Sequence, residues 1–172
     1  VKGCLLALQK SEAVKILLCG KEEILRQLVG QQYPAERLEI VPASEVIETG
    51  DVPVVSVRKK KDSSLVVGMK LIREERADAF VSAGNSGAIL VGGQVLVGRL
   101  PGVERAPFAP LIPTEDGGVT LLLDSGANVD AKAAHLVQFA EMGSLYMEKA
   151  LGIEKPRVAI LNVGVEEEKG NA

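Results

Sequence analysis

Tryptophan is absent from this sequence, and tyrosine and phenylalanine together make up only 3% of it. With so few flat side chains to stack on bases, and a net charge of -3 instead of a basic excess, wholesale nucleic-acid binding is excluded. Histidine occurs once, as His135, near an expected helix start and away from any cysteine or acidic cluster. That isolation argues against a metal centre or a catalytic triad. The two cysteines, Cys4 and Cys19, form neither a disulfide framework nor a metal-ligand spacing, and read as reduced core thiols of a cytoplasmic protein. No apolar run reaches the roughly 18 residues of a membrane span, and no signal-peptide pattern stands among these residues.

What is present is an ordinary globular composition, 172 residues with 47% hydrophobic and 25% charged, enough for one sizeable core. The expectation is a single α/β domain over residues 1–172. Val1 to Leu8 reads as helix with no start signal before it, and the chain stops two residues after Lys169-Gly170. Both ends therefore suggest a fragment of a longer protein, with residues missing at each side.

Strand and helix patterns alternate along the chain. Val14 to Leu18 reads as a strand ended by Gly20, and Lys21 to Gly30 carries Ile24, Leu25 and Leu28 at helical spacing. Leu38 to Val41 is a short strand stopped by Pro42, and Glu48-Thr49-Gly50-Asp51 is a polar turn. The block Arg58-Lys59-Lys60-Lys61 is either a solvated helix end or a docking patch for an acidic partner or a phosphate. Asp62-Ser63-Ser64 supplies caps for a helix over Leu65 to Glu75. The prolines of Phe108 to Pro113 rule against a central ladder position, and Val119 to Leu123, apolar without alternation, reads as a strand buried on both faces. Asp130 is the expected cap of a helix from about Ala131 to Leu151, with Leu136, Phe139, Ala140, Gly143 and Met147 as its apolar stripe and Gly152 closing it. Val158 to Leu161 is a last strand. Strands spaced by helices argue for a mainly parallel sheet with helices on both faces.

The chemistry is expected at the carboxyl ends of three strands. Ala79 to Val81 runs through Ser82-Ala83-Gly84-Asn85-Ser86-Gly87 into a helix that starts near Ala88. Glycines there permit either tight packing or the close approach of a ligand, and the amides of Ser86, Gly87 and Ala88 are orphan donors of a first helical turn, suited to an anion. Val119 to Leu123 leads into Asp124-Ser125-Gly126-Ala127-Asn128, and Leu161 into Asn162 and Gly164, with Lys169-Gly170-Asn171 beyond. In a parallel sheet such loops converge on one crevice. Their amides, hydroxyls, single carboxylate and lysine, without a nucleophilic cysteine or a histidine base, suit an oxyanion better than covalent catalysis.

Four stretches carry a resemblance: Ala83-Gly84-Asn85-Ser86-Gly87, Leu123-Asp124-Ser125-Gly126-Ala127-Asn128-Val129-Asp130, Gln138-Phe139-Ala140-Glu141-Met142-Gly143, and Leu161-Asn162-Val163-Gly164 with Lys169-Gly170-Asn171. With Lys59-Lys60-Lys61-Asp62-Ser63-Ser64 they run in register with the phosphate acyltransferases of the PlsX family, which the chain resembles. Ser86 stands where that family often has threonine, Ser125 where it often has valine, and the family's early Asp-Ala-Met-Gly-Gly-Asp strand end is not among these residues. The resemblance implies formation of acyl phosphate from acyl-(acyl carrier protein) and inorganic phosphate for phospholipid synthesis, with no cofactor and no metal. It also implies a Rossmann-like three-layer fold similar to isopropylmalate dehydrogenases and phosphate acetyltransferases. A homodimer, and peripheral contact with the inner face of the membrane through a second half not present here, are further implications.

Under that resemblance Asn85, Asn128 and Lys169 are the expected catalytic residues. Gly84, Ser86, Gly87, Asp124, Gly126 and Asn171 are expected to bind phosphate or substrate, and Arg58, Lys59, Lys60 and Lys61 to dock the carrier protein. Asp124 would repel a phosphate beside it, so it either anchors neighbouring loops or a cation or takes a direct part. Two other readings stay open: a phosphate acyltransferase acting on coenzyme A, and a non-catalytic phosphate- or nucleotide-binding module.

Overall fold

Alternating apolar residues on two short segments build a parallel pair of strands. β1 (Ile16–Gly20) pairs with β2 (Leu38–Pro42) in the register Ile16 to Leu38 through Gly20 to Pro42. This is a computed structural model, and it describes residues 1–30, 33–128, 130–162 and 164. The chain divides into two compact units, Val1–Gly102 and Val103–Ala172. The parallel pair and its helices make the chain an α/β protein.

In the first unit, α1 (Lys2–Lys10) precedes β1 and α2 (Glu22–Val29) connects β1 to β2. Period-two alternation brings Ile16, Leu18, Leu38 and Ile40 into one cluster with Leu8 of α1 and Val29 of α2. Arg37 ties this layer down by donating from Nη1 to the carbonyls of Leu8 and Ser11, at 3.1 and 2.8 Å. A second cluster joins Ile47, Val57 of α3 (Pro53–Lys59), Leu65, Val66 and Met69 of α4 (Ser64–Arg73), and Ala88 of α5 (Ser86–Gly92). Proline at the first position of α3 needs no amide partner there. Ser63 caps α4 as the sequence predicts, its Oγ accepting from the Val66 amide at 3.4 Å. α5 continues through a π-helical turn, Gly93–Val97.

In the second unit, β3 (Leu111–Pro113) and β4 (Val119–Leu121) form an antiparallel hairpin. α6 (Ala133–Leu151) buries His135, Phe139, Gly143 and Met147, every fourth residue, on one stripe. Gly143 lets α6 approach the hairpin: a Cβ there would stand 2.5 Å from Leu123 Cδ1. Gly152, at φ 67°, ends the helix in the left-handed conformation.

Several expectations change. Asp130 does not cap α6; Lys132 holds that position, and the Nδ1 of His135 accepts its amide at 3.1 Å. Leu136 is exposed rather than part of the buried stripe. Val119 to Leu123 is not a strand buried on both faces, because Gly117, at φ 81°, allows a tight turn that pairs Val119–Leu121 locally with Leu111–Pro113. Ala79 to Val81 and Val158 to Leu161 form no strand, and Val81 and Leu161 are 94% and 86% exposed. Extended apolar segments become strands only when a neighbour takes their backbone hydrogen bonds. Among the described residues no ladder includes these two.

Candidate functional site

The Ser82 to Gly87 turn is organised by Asn85. Its amide and carbonyl are both short and polar, which makes asparagine one of the favoured N-caps. Its Oδ1 accepts the Ala88 amide of α5 at 2.9 Å, so that amide is occupied and is not the open donor the sequence suggested. Its Nδ2 points the other way and donates to the carbonyls of Glu48, Thr49 and Asp51 at 3.1, 3.2 and 3.0 Å. Asn85 is accordingly buried, while Gly84 and Ser86 on either side are exposed. The Gly84 amide donates to Ser82 Oγ at 3.1 Å, which curls the chain ahead of the cap.

The segment that receives Asn85 is itself held by charge. Asp51 Oδ2 accepts the Glu48 amide at 2.9 Å and the Lys60 ammonium at 2.5 Å. Lys60 also donates to the Val46 carbonyl at 2.7 Å. The Lys60 hydrogen bond first, and the Glu48 amide second, hold the Asp51 carboxyl below its usual pKa. Lys60 therefore stands apart from its neighbours in the basic block. Arg58, Lys59 and Lys61 are exposed, and Asp62 beside them accepts from the Ser44 hydroxyl and amide at 2.5 and 2.8 Å.

The second unit holds Asp124, Gly126 and Asn128. Asp124 accepts from the Phe108 amide through Oδ1 at 2.6 Å, and through Oδ2 from the Asn128 amide at 2.6 Å and the Asn128 side chain at 3.1 Å. Burial pushes its pKa up, but the hydrogen bonds from Phe108, Asn128 and Ala127 outweigh it and leave the carboxyl below its ordinary value. Of the roles open to Asp124, loop anchoring is the one its contacts display. Gly126 takes φ 89°, a conformation that favours glycine, and closes the loop between them. The Asn128 side chain also reaches the Ala106 carbonyl at 3.3 Å and accepts from Arg105 Nη1 at 3.3 Å.

His135 is buried and structural in its contacts. Since Nδ1 accepts the Lys132 amide, a neutral ring carries its proton on Nε2, facing Glu104 Oε2 at 3.1 Å. Among the described residues no cluster of three metal-ligating side chains occurs, and no helix is long and apolar enough to cross a membrane. Lys169 and Asn171 lie outside the described residues. The first unit thus brings together Asn85, Ser86, Gly84 and Gly87, and the second Asp124, Gly126 and Asn128. Two contacts are not foreshadowed in the sequence: the pairing of Lys60 with Asp51 and that of Arg105 with Asn128. No local pattern marks either pairing.

A family model described as "Fatty acid synthesis protein" matches residues 1–172. A protein named phosphate acyltransferase in Thermoanaerobacter pseudethanolicus is 50% identical over 99% of this chain and 50% of its own length. Another of that name in Brevibacillus brevis is 51% identical over 99% of this chain and 51% of its own length. A third, in Caldanaerobacter subterraneus subsp. tengcongensis, is 48% identical over 99% of this chain and 50% of its own length. The chain spans about half the length of the curated relatives it matches. Over all its residues, it belongs to the fatty acid synthesis protein family.

Proposed function

We propose that this chain is the N-terminal part of an enzyme that makes acyl phosphate from acyl-(acyl carrier protein) and inorganic phosphate, for phospholipid synthesis. The observation that carries this reading is 50% identity, over 99% of the chain, to a protein named phosphate acyltransferase. In the proposed reaction a phosphate oxygen attacks the thioester carbonyl. The tetrahedral oxyanion then collapses, the C–S bond breaks, and the carrier's thiolate leaves. Phosphate is already anionic at neutral pH, so no strong base is required; the protein must hold the reactants together and stabilise the oxyanion.

Ser86 and Gly87 hold phosphate through hydroxyl and backbone donors at the start of α5, and Gly84, whose own amide is taken up by Ser82, lets the phosphate approach the turn closely. Asn85 serves this turn as its anchor, since its side chain is taken up by Ala88 and the Glu48 to Asp51 carbonyls. Lys169 neutralises phosphate or the developing oxyanion, and Asn128 and Asn171 orient the substrates. Asp124 and Gly126 hold the Asn128 loop. Arg58, Lys59 and Lys61 meet the acidic carrier protein. The same reading makes residues 1–172 one α/β domain of the three-layer, isopropylmalate dehydrogenase-like kind, in a cytoplasmic homodimer with peripheral membrane contact through segments beyond these residues.

Thiol release from an acyl-carrier thioester, with and without phosphate, tests the activity in the full-length enzyme. The expected result is release that depends on phosphate and is faster than with the matching acyl-coenzyme A. Saturable phosphate binding without thiol release would reduce the protein to a binding module. Preference for the coenzyme A thioester would change the acyl donor.

A further inference from the structure

Lys60 sits within a run of cations but does not behave as one of them. Its side chain is 31% exposed and closes on Asp51, whose side chain is 28% exposed, at 2.5 Å. The same ammonium reaches the Val46 carbonyl at 2.7 Å, so one charge pins both ends of the segment from Val46 to Asp51. Within it, Asp51 also accepts the Glu48 amide at 2.9 Å, and its own amide donates to the Glu48 carbonyl at 3.1 Å. The result is a closed strap whose Glu48, Thr49 and Asp51 carbonyls converge on a single nitrogen, Asn85 Nδ2. Carbonyl dipoles aimed at one point repel each other and would turn outward to water unless something fixed the backbone behind them. The Lys60 to Asp51 pair supplies that fixing, from the C-terminal end of α3.

We propose that Lys60 and Asp51 are positioning residues for the Ser82 to Gly87 turn, holding the 46–51 strap on which the Asn85 side chain is seated. The order of dependence runs from Lys60 to Asp51 and Val46, to the strap carbonyls, to Asn85, and so to the first turn of α5. The proposal rests on the reading of that turn as the phosphate site. It also separates Lys60 from Arg58, Lys59 and Lys61, so that a run of adjacent cations divides between two tasks.

The test uses Lys60→Met, Lys60→Arg and Asp51→Asn in the full-length enzyme, with two readouts. One is the KM for phosphate set against the KM for acyl-carrier thioester. The other is the rise in melting temperature on adding inorganic phosphate, which needs no turnover and so separates this inference from the assignment of the reaction. Lys60→Met and Asp51→Asn are expected to weaken phosphate binding about tenfold in both readouts. They leave the KM for the carrier substrate within about twofold, and Lys60→Arg recovers most of the loss. A Lys60→Met protein that melts lower but keeps the parent's phosphate response would show a merely structural pair and overturn the proposal. So would a rise in the carrier KM with phosphate binding unchanged, which would return Lys60 to docking. Should Lys60→Met not fold, the milder Asp51→Asn carries the same comparison.

Discussion

Pro53, the first residue of α3, packs so closely on Gly87 that a Cβ added to the glycine would lie 2.6 Å from the proline Cγ. No ordinary Cβ contact is that short, and a pyrrolidine ring cannot swing aside as a long side chain can. Gly92 on the same helix offers the contrast: its added Cβ would stand 2.5 Å from the Met69 sulfur, part of a flexible chain. Alanine in place of glycine normally favours a helix by up to about 1 kcal/mol. At Gly87 the overlap is expected to cost about 1–3 kcal/mol and win. Gly87→Ala should therefore melt below the parent and lose phosphate-induced stabilisation, whereas Gly92→Ala should stay within about 1 kcal/mol of it. Thermal melts with and without phosphate decide the matter, and equal behaviour of the two variants would refute the close approach.

Such contacts lie beyond what the local sequence encodes, whereas other features do not. The apolar periods of β1 and β2, the Ser63 cap and the Gly152 stop are written locally: each depends on residues within a turn or on a simple period. Ala79 to Val81 and Val158 to Leu161 carry the same apolar signal, yet a strand also depends on a neighbour that the segment itself does not encode. Asn85 illustrates the division within one residue. Capping Ala88 is a local habit of asparagine ahead of a helix, while its contacts with carbonyls 34 to 37 residues earlier are a property of the fold; the sequence points to it only as an expected catalytic residue. The interplay of Lys60 with Asp51 was hidden for the opposite reason, since a run of lysines and arginine reads as a uniform surface.

Charge reversal tests the remaining cations of that block. Arg58, Lys59 and Lys61 are exposed, so any attraction to an acidic carrier acts through solvent and is screened over about 10 Å at 0.1 M salt. Replacing all three with glutamate should raise the carrier KM about tenfold or more at low salt, and much less at high salt. The phosphate KM should not move. Identical carrier binding at both salt levels would make these residues a solvated helix end.

Lys169 is the one cation assigned to the reacting groups. Removing a well-placed partner of a developing oxyanion costs roughly 3 kcal/mol, or about a hundredfold in rate. Lys169→Ala in the full-length enzyme is expected to lose acyl phosphate formation by about that factor with an unchanged circular dichroism spectrum. Turnover within about threefold of the parent would remove Lys169 from the mechanism.

Asp124 gives a prediction in pH. Its carboxylate receives the Phe108 and Asn128 amides at 2.6 Å each, and these bonds, against the opposing effect of burial, hold its pKa below the ordinary value of 3.8. A carboxyl whose folded pKa is depressed binds protons more readily when unfolded. It therefore adds stability that is fully present well above pH 3.8 and is lost as pH falls through the folded pKa. Asp124→Asn keeps the shape but loses the charge, and a hydrogen bond to a charged group is worth about 1.5–3 kcal/mol. The variant should thus melt below the parent at pH 7, and the gap between them should narrow as the buffer is taken below pH 3.8. Melting curves across that range, with a carboxyl carbon NMR titration of Asp124, provide the check. A gap that widened on acidification, or a carboxyl titrating above 3.8, would mean that the Phe108 and Asn128 amides do not stabilise the charged form.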